Sequence, residues 1–319
     1  MAGKLIIADT GKMADVKNIF SENLIQRWLK FAAVSDKSVT TYTVAIKQMC
    51  KYFYANNITA PRREDLETWR DGLIDGGKSA STVRLYLTSA KLFFRWLEQE
   101  NLYPNVADHL KAKVKISAEH KKDFLSKEQS RELLNFAKGK GTLKDLRDRA
   151  IIALMLSAGL RTIEICRADV ADIREVSGVN FLFVQGKGRS EKSESVRLAP
   201  QVFSLIQSYL KARGKVKGTD PLFVSTSNRC RNARLDTQTI RKLIKADLRA
   251  IGLDSDRLTA HSLRHTCATQ ALLNGAKLEY VQQTLRHRQI STTMIYNHAI
   301  ERIKNTAECV VADTIFSTT

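Results

Sequence analysis

The sequence predicts a mainly α-helical protein with a small β-sheet: a helical N-terminal domain followed by a mixed α+β domain. Three observations carry this. Apolar residues recur at spacings of three and four over most of the chain. Two short β-type runs, NFLFVQ at 180–185 and SVRLA at 195–199, flank one polar stretch that is glycine-rich at its start. The length, 319 residues, gives two domains at about 100–200 residues each.

The elements follow in chain order. Residues 1–20 read as a loosely attached lead. Ser21 is placed to cap a helix running to about Val34, with Leu24, Ile25, Trp28, Leu29 and Ala32 on one face. Ser38 is placed to cap a second, where Tyr42, Ala45, Ile46, Met49 and Phe53 recur. A short third spans 64–75. Ser81 precedes the clearest stripe: Val83, Leu87, Ala90, Phe94 and Leu97. These four helices make an all-helical domain over 21–110. Residues 111–122, KAKVKISAEHKK, read as a basic linker. The second domain, 123–319, opens with a capping box at Ser126 and Gln129. A largely apolar helix at 145–158 follows, then a turn at Gly159-Leu160-Arg161 and a short helix, TIEICRA. After the strand pair come helices at 200–213, 237–250, 262–274, 277–285 and 291–298. Gly275 suits the C-terminal cap of the third of these. One more short helix is expected over 299–312.

Composition narrows the function class. Lys plus Arg is 52 and Asp plus Glu is 33, so the net charge is +19. Such an excess fits a polyanion partner, nucleic acid or an anionic membrane surface. No run approaches the ~20 apolar residues of a membrane span, and the N-terminus lacks a signal-peptide pattern. Five scattered cysteines, none in a CxxC pair, argue against a disulfide framework and a cysteine zinc site. A cytoplasmic protein without membrane association is expected.

Four places hold polar residues that a purely structural sequence would not need. They are Arg161 beside Gly159, Lys187 in Gly186-Lys187-Gly188, His261-Ser262-Leu263-Arg264-His265, and Leu285-Arg286-His287 followed by Tyr296. His261 and Arg264 lie three apart at a helix start and face the same way, which suits an anion. The i,i+4 pair His261 and His265 lacks the glutamate of an HExxH zinc site, since Ser262 stands there. No metal and no cofactor are expected. Tyr296 alone reads as a core-edge tyrosine.

The ordered set reads differently. AGLRTIEICRADVADI, GKGRSEK with its following strand, HSLRHTCATQALLNGA and LRHRQISTTMIYNH together resemble the tyrosine recombinases, the family of phage integrases and Xer-type recombinases. The resemblance covers about residues 21–312. It implies a SAM-like core-binding domain over 21–110 and a catalytic domain with a C-terminal tail over 123–319.

The resemblance also implies a chemistry. Arg161 and Arg264 clamp one scissile phosphate, whose transition state gains negative charge. His261 takes the nucleophile's proton and His287 hydrogen-bonds the phosphate. Lys187 protonates the leaving 5′ oxygen, and Tyr296 attacks to give a 3′-phosphotyrosine. Strand exchange then proceeds through a Holliday junction in a homotetramer on double-stranded DNA sites. The tail packs on a neighbouring subunit, with accessory DNA-bending or directionality factors as further partners. Thr41, Lys47, Thr82 and Arg84 are candidate DNA contacts. The separate arm-binding domain of some phage integrases is not expected.

Two departures stand out. Arg286 replaces the glycine of the family's Leu-Gly-His, which implies an added phosphate contact or a shifted loop around His287. The hairpin is long, so Lys192 competes with Lys187 as general acid. Glu164, one turn after Arg161, matches a family position that supports the site. Two other readings remain at this point: type IB topoisomerase-like relaxation and a catalytically inactive DNA-binding protein.

Overall fold

Helix starts in this protein follow capping chemistry. The computed structural model describes residues 21–32, 36–114, 123–186 and 189–316. The chain divides into two units, one to Ser117 and one from Ala118.

The first unit holds four helices: α1 (Glu22–Phe31), α2 (Asp36–Ala55), α3 (Arg63–Asp75) and α4 (Ala80–Gln99). The Ser21 hydroxyl accepts from the Leu24 N–H, as its sequence position predicts. Two expected caps move. Ser38 sits inside α2, which already runs from Asp36. Ser79, not Ser81, caps α4 by accepting from the Thr82 N–H. The 3.6-residue stripe reads the same from either serine, so the pattern fixes the face and not the first residue. Trp28, Met49, Phe53, Trp69, Phe93 and Phe94 are all buried and close one aromatic-rich core. Trp28 meets Phe93 edge-on at 5.2 Å.

The start of the basic segment is tied to this unit. Buried Arg70 donates from Nη1 to the Lys111 carbonyl at 3.0 Å while it chelates Asp71. Arg84 donates to the Val114 carbonyl at 3.2 Å. The backbone of 111–114 is thus strapped to this unit while Lys111 and Lys113 stay exposed, and 115–122 lie outside the described residues.

The second unit contains α5 (Lys127–Phe136), α6 (Leu143–Ala158), α7 (Thr162–Arg167), strands β1 (Ile173–Val176), β2 (Val179–Val184) and β3 (Glu194–Arg197), then α8 (Pro200–Arg213), α9 (Thr237–Ala250), α10 (Ala260–Leu273), α11 (Leu278–Leu285), α12 (Ser291–Lys304) and α13 (Ala307–Phe316). The capping box at Ser126 and Gln129 is present. The sheet is antiparallel in the order β1-β2-β3. Leu182 faces both Ile173 and Val196 in register. β1 was not expected. Its sequence, IREV, is charged and mostly exposed, and its signal is the Ser177-Gly178 turn, where both residues have positive φ.

Helices α6 and α10 are buried on nearly every face and pack against each other. Ile151, Ile152, Leu154 and Leu263 lie at the centre of the main core. A second, smaller cluster joins α10, α11 and α12 through Ala268, Leu272, Val281, Leu285, Tyr296 and Ile300. α12 runs past the expected end at 298 to Lys304. The expected helix over 299–312 is therefore two pieces, the end of α12 and the first part of α13, which runs on to Phe316. None of the α13 side chains is buried, and Val310, Val311, Ile315 and Phe316 are exposed. No described helix is long and apolar enough to cross a membrane.

Candidate active site

The site is assembled at the turn between α6 and α7. Gly159 ends α6 in the left-handed region, with φ +58. A Cβ there would meet Leu285 Cδ2 at 2.6 Å, so α11 approaches the bare backbone. Arg161 then caps α7. Glu164 reaches back, accepting from the Arg161 N–H at 2.8 Å and from Arg161 Nη1 at 2.7 Å. Glu164 is completely buried. Burial opposes its ionisation, but Arg286, the Arg161 N–H, Arg161 and Arg264 together outweigh it and hold the carboxyl below its ordinary range.

Arg264 enters from α10 and is almost wholly buried. Nη1 donates to the Gly159 carbonyl at 2.5 Å and Nη2 to the Leu285 carbonyl. One guanidinium thus ties the α6–α7 turn to the end of α11. These bonds use two of five N–H groups. Burial, then Arg161 and Arg286, push its pKa down to about 10, so it stays charged at neutral pH.

The Leu285-Arg286-His287 tripeptide carries three connections. Leu285 accepts from Arg264. Arg286 turns inward and donates from Nη2 to Glu164 Oε2 at 2.7 Å. His287 Nδ1 lies 2.9 Å from the Thr293 hydroxyl on α12. Arg286 itself is left-handed, at φ 54 and ψ 46, where a non-glycine residue costs about 1–2 kcal/mol. Its side chain, only 4% exposed, pairs with Glu164 in this structure.

Tyr296 is buried beside these groups. The His265 ring centroid is 4.8 Å from its ring, and the His287 ring lies 6.3 Å away at 11°. Burial raises the phenol's pKa, and Arg264 and Arg161 pull partly against it. The nucleophile candidate is therefore protonated at neutral pH and needs a base. His287 is pushed down to about 4, by burial first and then by Arg264, Arg161, Arg286 and His261, so it is a neutral imidazole. His261 occupies the exposed first turn of α10. A cleft of about 720 Å3 opens at this place, lined by Arg161, Gly186, Arg189, Glu194, Arg286 and His287 among others.

Lys187 lies outside the described residues. Its rival Lys192 is committed elsewhere: Nζ pairs with Asp169 at 2.6 Å and with buried Asp172. Burial lowers the Lys192 pKa, but the two carboxylates outweigh it and the ammonium sits above its ordinary value. Of the DNA candidates, Thr41 and Lys47 are on α2 and Thr82 and Arg84 on α4. Lys47 pairs with Glu22 at 3.1 Å. The Thr82 hydroxyl is 2.8 Å from Ser79 Oγ, within the α4 cap. No cluster of metal ligands occurs among the described residues.

The sequence reading missed His265 as the ring against Tyr296, and Thr293 as the partner of His287. A signal existed for Thr293, which is three residues before Tyr296 on one helix face.

Two clustered arginines suit a phosphate, and a tyrosine beside them supplies a nucleophile. That combination is the one a protein acting on phosphodiesters through a tyrosine would need. Residues 123–302 match the Phage integrase family, and residues 25–101 match the Phage integrase, N-terminal SAM-like domain. The chain belongs to the phage integrase family, the tyrosine recombinases, enzymes that cleave and rejoin DNA strands. It is 30% identical to tyrosine recombinase XerD of Yersinia pestis over 285 residues, covering 87% of this chain and 91% of that one. It is equally identical to tyrosine recombinase XerD of Proteus mirabilis over 293 residues, 90% of each chain. Among solved structures, XerH recombinase bound to palindromic difH shares the fold. The TM-score is 0.71 at 21% identity, over 89% of this chain and 84% of that one. A lambda integrase tetramer bound to a Holliday junction shares it with a TM-score of 0.64 at 18% identity, over 90% and 78%.

Proposed function

We propose that this chain exchanges DNA strands at specific sites with Tyr296 as nucleophile. The observation that carries the proposal is the meeting of Arg161, Arg264, His287 and Tyr296 around the Leu285-Arg286-His287 turn. Arg161 and Arg264 bind the non-bridging oxygens of the scissile phosphate. Tyr296 Oη attacks phosphorus and its proton passes to His261. The bond from phosphorus to the 5′ oxygen breaks, and Lys187 supplies the proton that oxygen needs. Neutral His287 donates one hydrogen bond to the phosphate while Thr293 holds its other nitrogen. The 3′-phosphotyrosine keeps the phosphodiester energy, so a second 5′ hydroxyl can reverse the step on a different strand. Neither a nucleotide triphosphate nor a metal enters this balance.

The net charge supports salt-sensitive binding to the backbone of double-stranded DNA. In this reading Thr41, Lys47, Thr82 and Arg84 touch the duplex, and Lys47 exchanges Glu22 for phosphate at little expense, since exposed pairs contribute about 0–1 kcal/mol. The exposed apolar side chains of α13 support a homotetramer in which this tail covers a neighbouring copy. Work takes place in the cytoplasm, where bacterial DNA is, with accessory DNA-bending or directionality factors added as the element requires.

Capture of covalent complexes tests the reading. Protein is incubated in EDTA with sheared DNA of its source, denatured, and the ends of protein-linked DNA are sequenced. Adducts at a few defined sites are expected. Scattered adducts would favour type IB relaxation instead, and none would favour a binding protein.

A further inference from the structure

The arginine in Leu285-Arg286-His287 has no role in the chemistry above, yet its placement is costly and specific. Its backbone is left-handed, a conformation that glycine adopts freely. Its side chain nevertheless turns into the protein and finds Glu164 at 2.7 Å and the Thr284 carbonyl at 2.5 Å. The Glu164 carboxylate is divided. Oε1 accepts from Arg161 Nη1, while Oε2 accepts from Arg286 and from the Arg161 N–H.

We propose that Arg286 is a positioning residue: it shares the Glu164 carboxylate with Arg161, fixing the Arg161 side chain at the cleft and leaving its charge only partly neutralised. This rests on the reading of Arg161 as a phosphate ligand. The charge balance is the argument. The groups facing Glu164 are Arg161 from the α7 cap, Arg264 from α10 and Arg286 from the end of α11. Two guanidiniums bond one carboxylate, and the charge of a third acts on it. The other acid at the cleft, Glu194, is already paired with Arg189 at 2.9 Å. With glycine at 286, one carboxylate would serve two guanidiniums and quench Arg161 more fully. With arginine, the surplus positive charge is built in before substrate arrives, which is what a transition state gaining negative charge requires. Arg286 also holds Glu164 ionised against its burial, so the Arg161 hydrogen bonds persist at lower pH.

The test compares the full-length protein with Arg286→Gly and Arg286→Lys. Three quantities are read: affinity for the captured DNA site, single-turnover cleavage from about pH 3.5 to 9, and the Glu164 carboxyl by 13C NMR titration over the same range. Arg286→Gly is expected to keep DNA affinity within about twofold and to lose cleavage by about 10- to 100-fold, the range for partners that orient a ligand. Its acid limb and its Glu164 titration are expected to move up together, because the group that held the carboxylate ionised is gone. Arg286→Lys restores the charge and is expected to return both toward the wild-type position, with cleavage only partly regained. Should Arg286→Gly not fold, the lysine variant carries the comparison by its reduced rate and retained limb. Unchanged cleavage and an unmoved Glu164 titration would overturn the proposal. Lost cleavage with an unmoved Glu164 would overturn it too, placing Arg286 elsewhere in the reaction. Absence of adducts with the wild-type chain would defeat the Tyr296 reading instead, and the Glu164 titration alone would then decide this one.

Discussion

The ring of His287 lies nearly parallel to that of Tyr296, 11° between planes and 6.3 Å between centroids, while its Nδ1 is held 2.9 Å from Thr293 on the tyrosine's own helix. The imidazole is thereby fixed in orientation beside Tyr296.

The His287 charge state is the first testable consequence. Burial and neighbouring cations lower its pKa to about 4 from the ordinary histidine value of about 6.5. The unfolded chain therefore binds a proton between these values and the folded one does not, so stability rises with pH across that window. We expect an NMR titration to show no imidazolium at His287 above about pH 5. His287→Gln should flatten the stability slope between the two values. A titration midpoint near the ordinary histidine value would refute this.

Arg264 is structural as well as electrostatic. It bridges the Gly159 and Leu285 carbonyls from a buried position. Lysine offers no fork. Arg264→Lys should abolish detectable cleavage and cost about 1–3 kcal/mol, since at least one buried carbonyl loses its donor. Urea unfolding beside single-turnover cleavage measures both.

Gly159→Ala tests the close approach of α11. The residue would be left-handed and its Cβ would press Leu285 at 2.6 Å. We expect destabilisation of about 2–4 kcal/mol from backbone strain and overpacking together, with cleavage lost in proportion to the displacement of Arg161. A neutral effect on urea unfolding would show that Leu285 yields freely.

The two lysines of the hairpin separate by leaving-group chemistry. Lys192 is locked between Asp169 and Asp172. Lys192→Met should lower stability and leave the cleavage rate of the folded fraction intact. Lys187→Ala should lose cleavage of ordinary DNA and recover it on a 5′-bridging phosphorothiolate, whose sulfur leaves without an acid. Rescue of the Lys192 variant instead would exchange the two assignments.

Helix faces and most helix starts were legible because period and capping chemistry are local. Ser21, Ser126 and the Pro200 start of α8 are where the sequence places them. Ser79 was obscured by Ser81 two residues on, and β1 by its charged surface strand. At the site, the sequence order named Arg161, Arg264, His287 and Tyr296 before any contact was visible. The inward turn of Arg286 was not legible. It depends on the carboxylate of Glu164, 122 residues away, and on a buried place for a guanidinium that a linear pattern does not encode. The burial of Tyr296 against His265 has the same character, since the rings come from α10 and α12.

The most direct measurement is mass spectrometry of the tryptic peptide carrying Tyr296 after capture on DNA in EDTA and exhaustive nuclease digestion. The account predicts a residual nucleotide joined through a phosphodiester to Tyr296, absent from Tyr296→Phe protein that still binds DNA. A nucleotide on any other residue, or adducts that survive Tyr296→Phe, would contradict it.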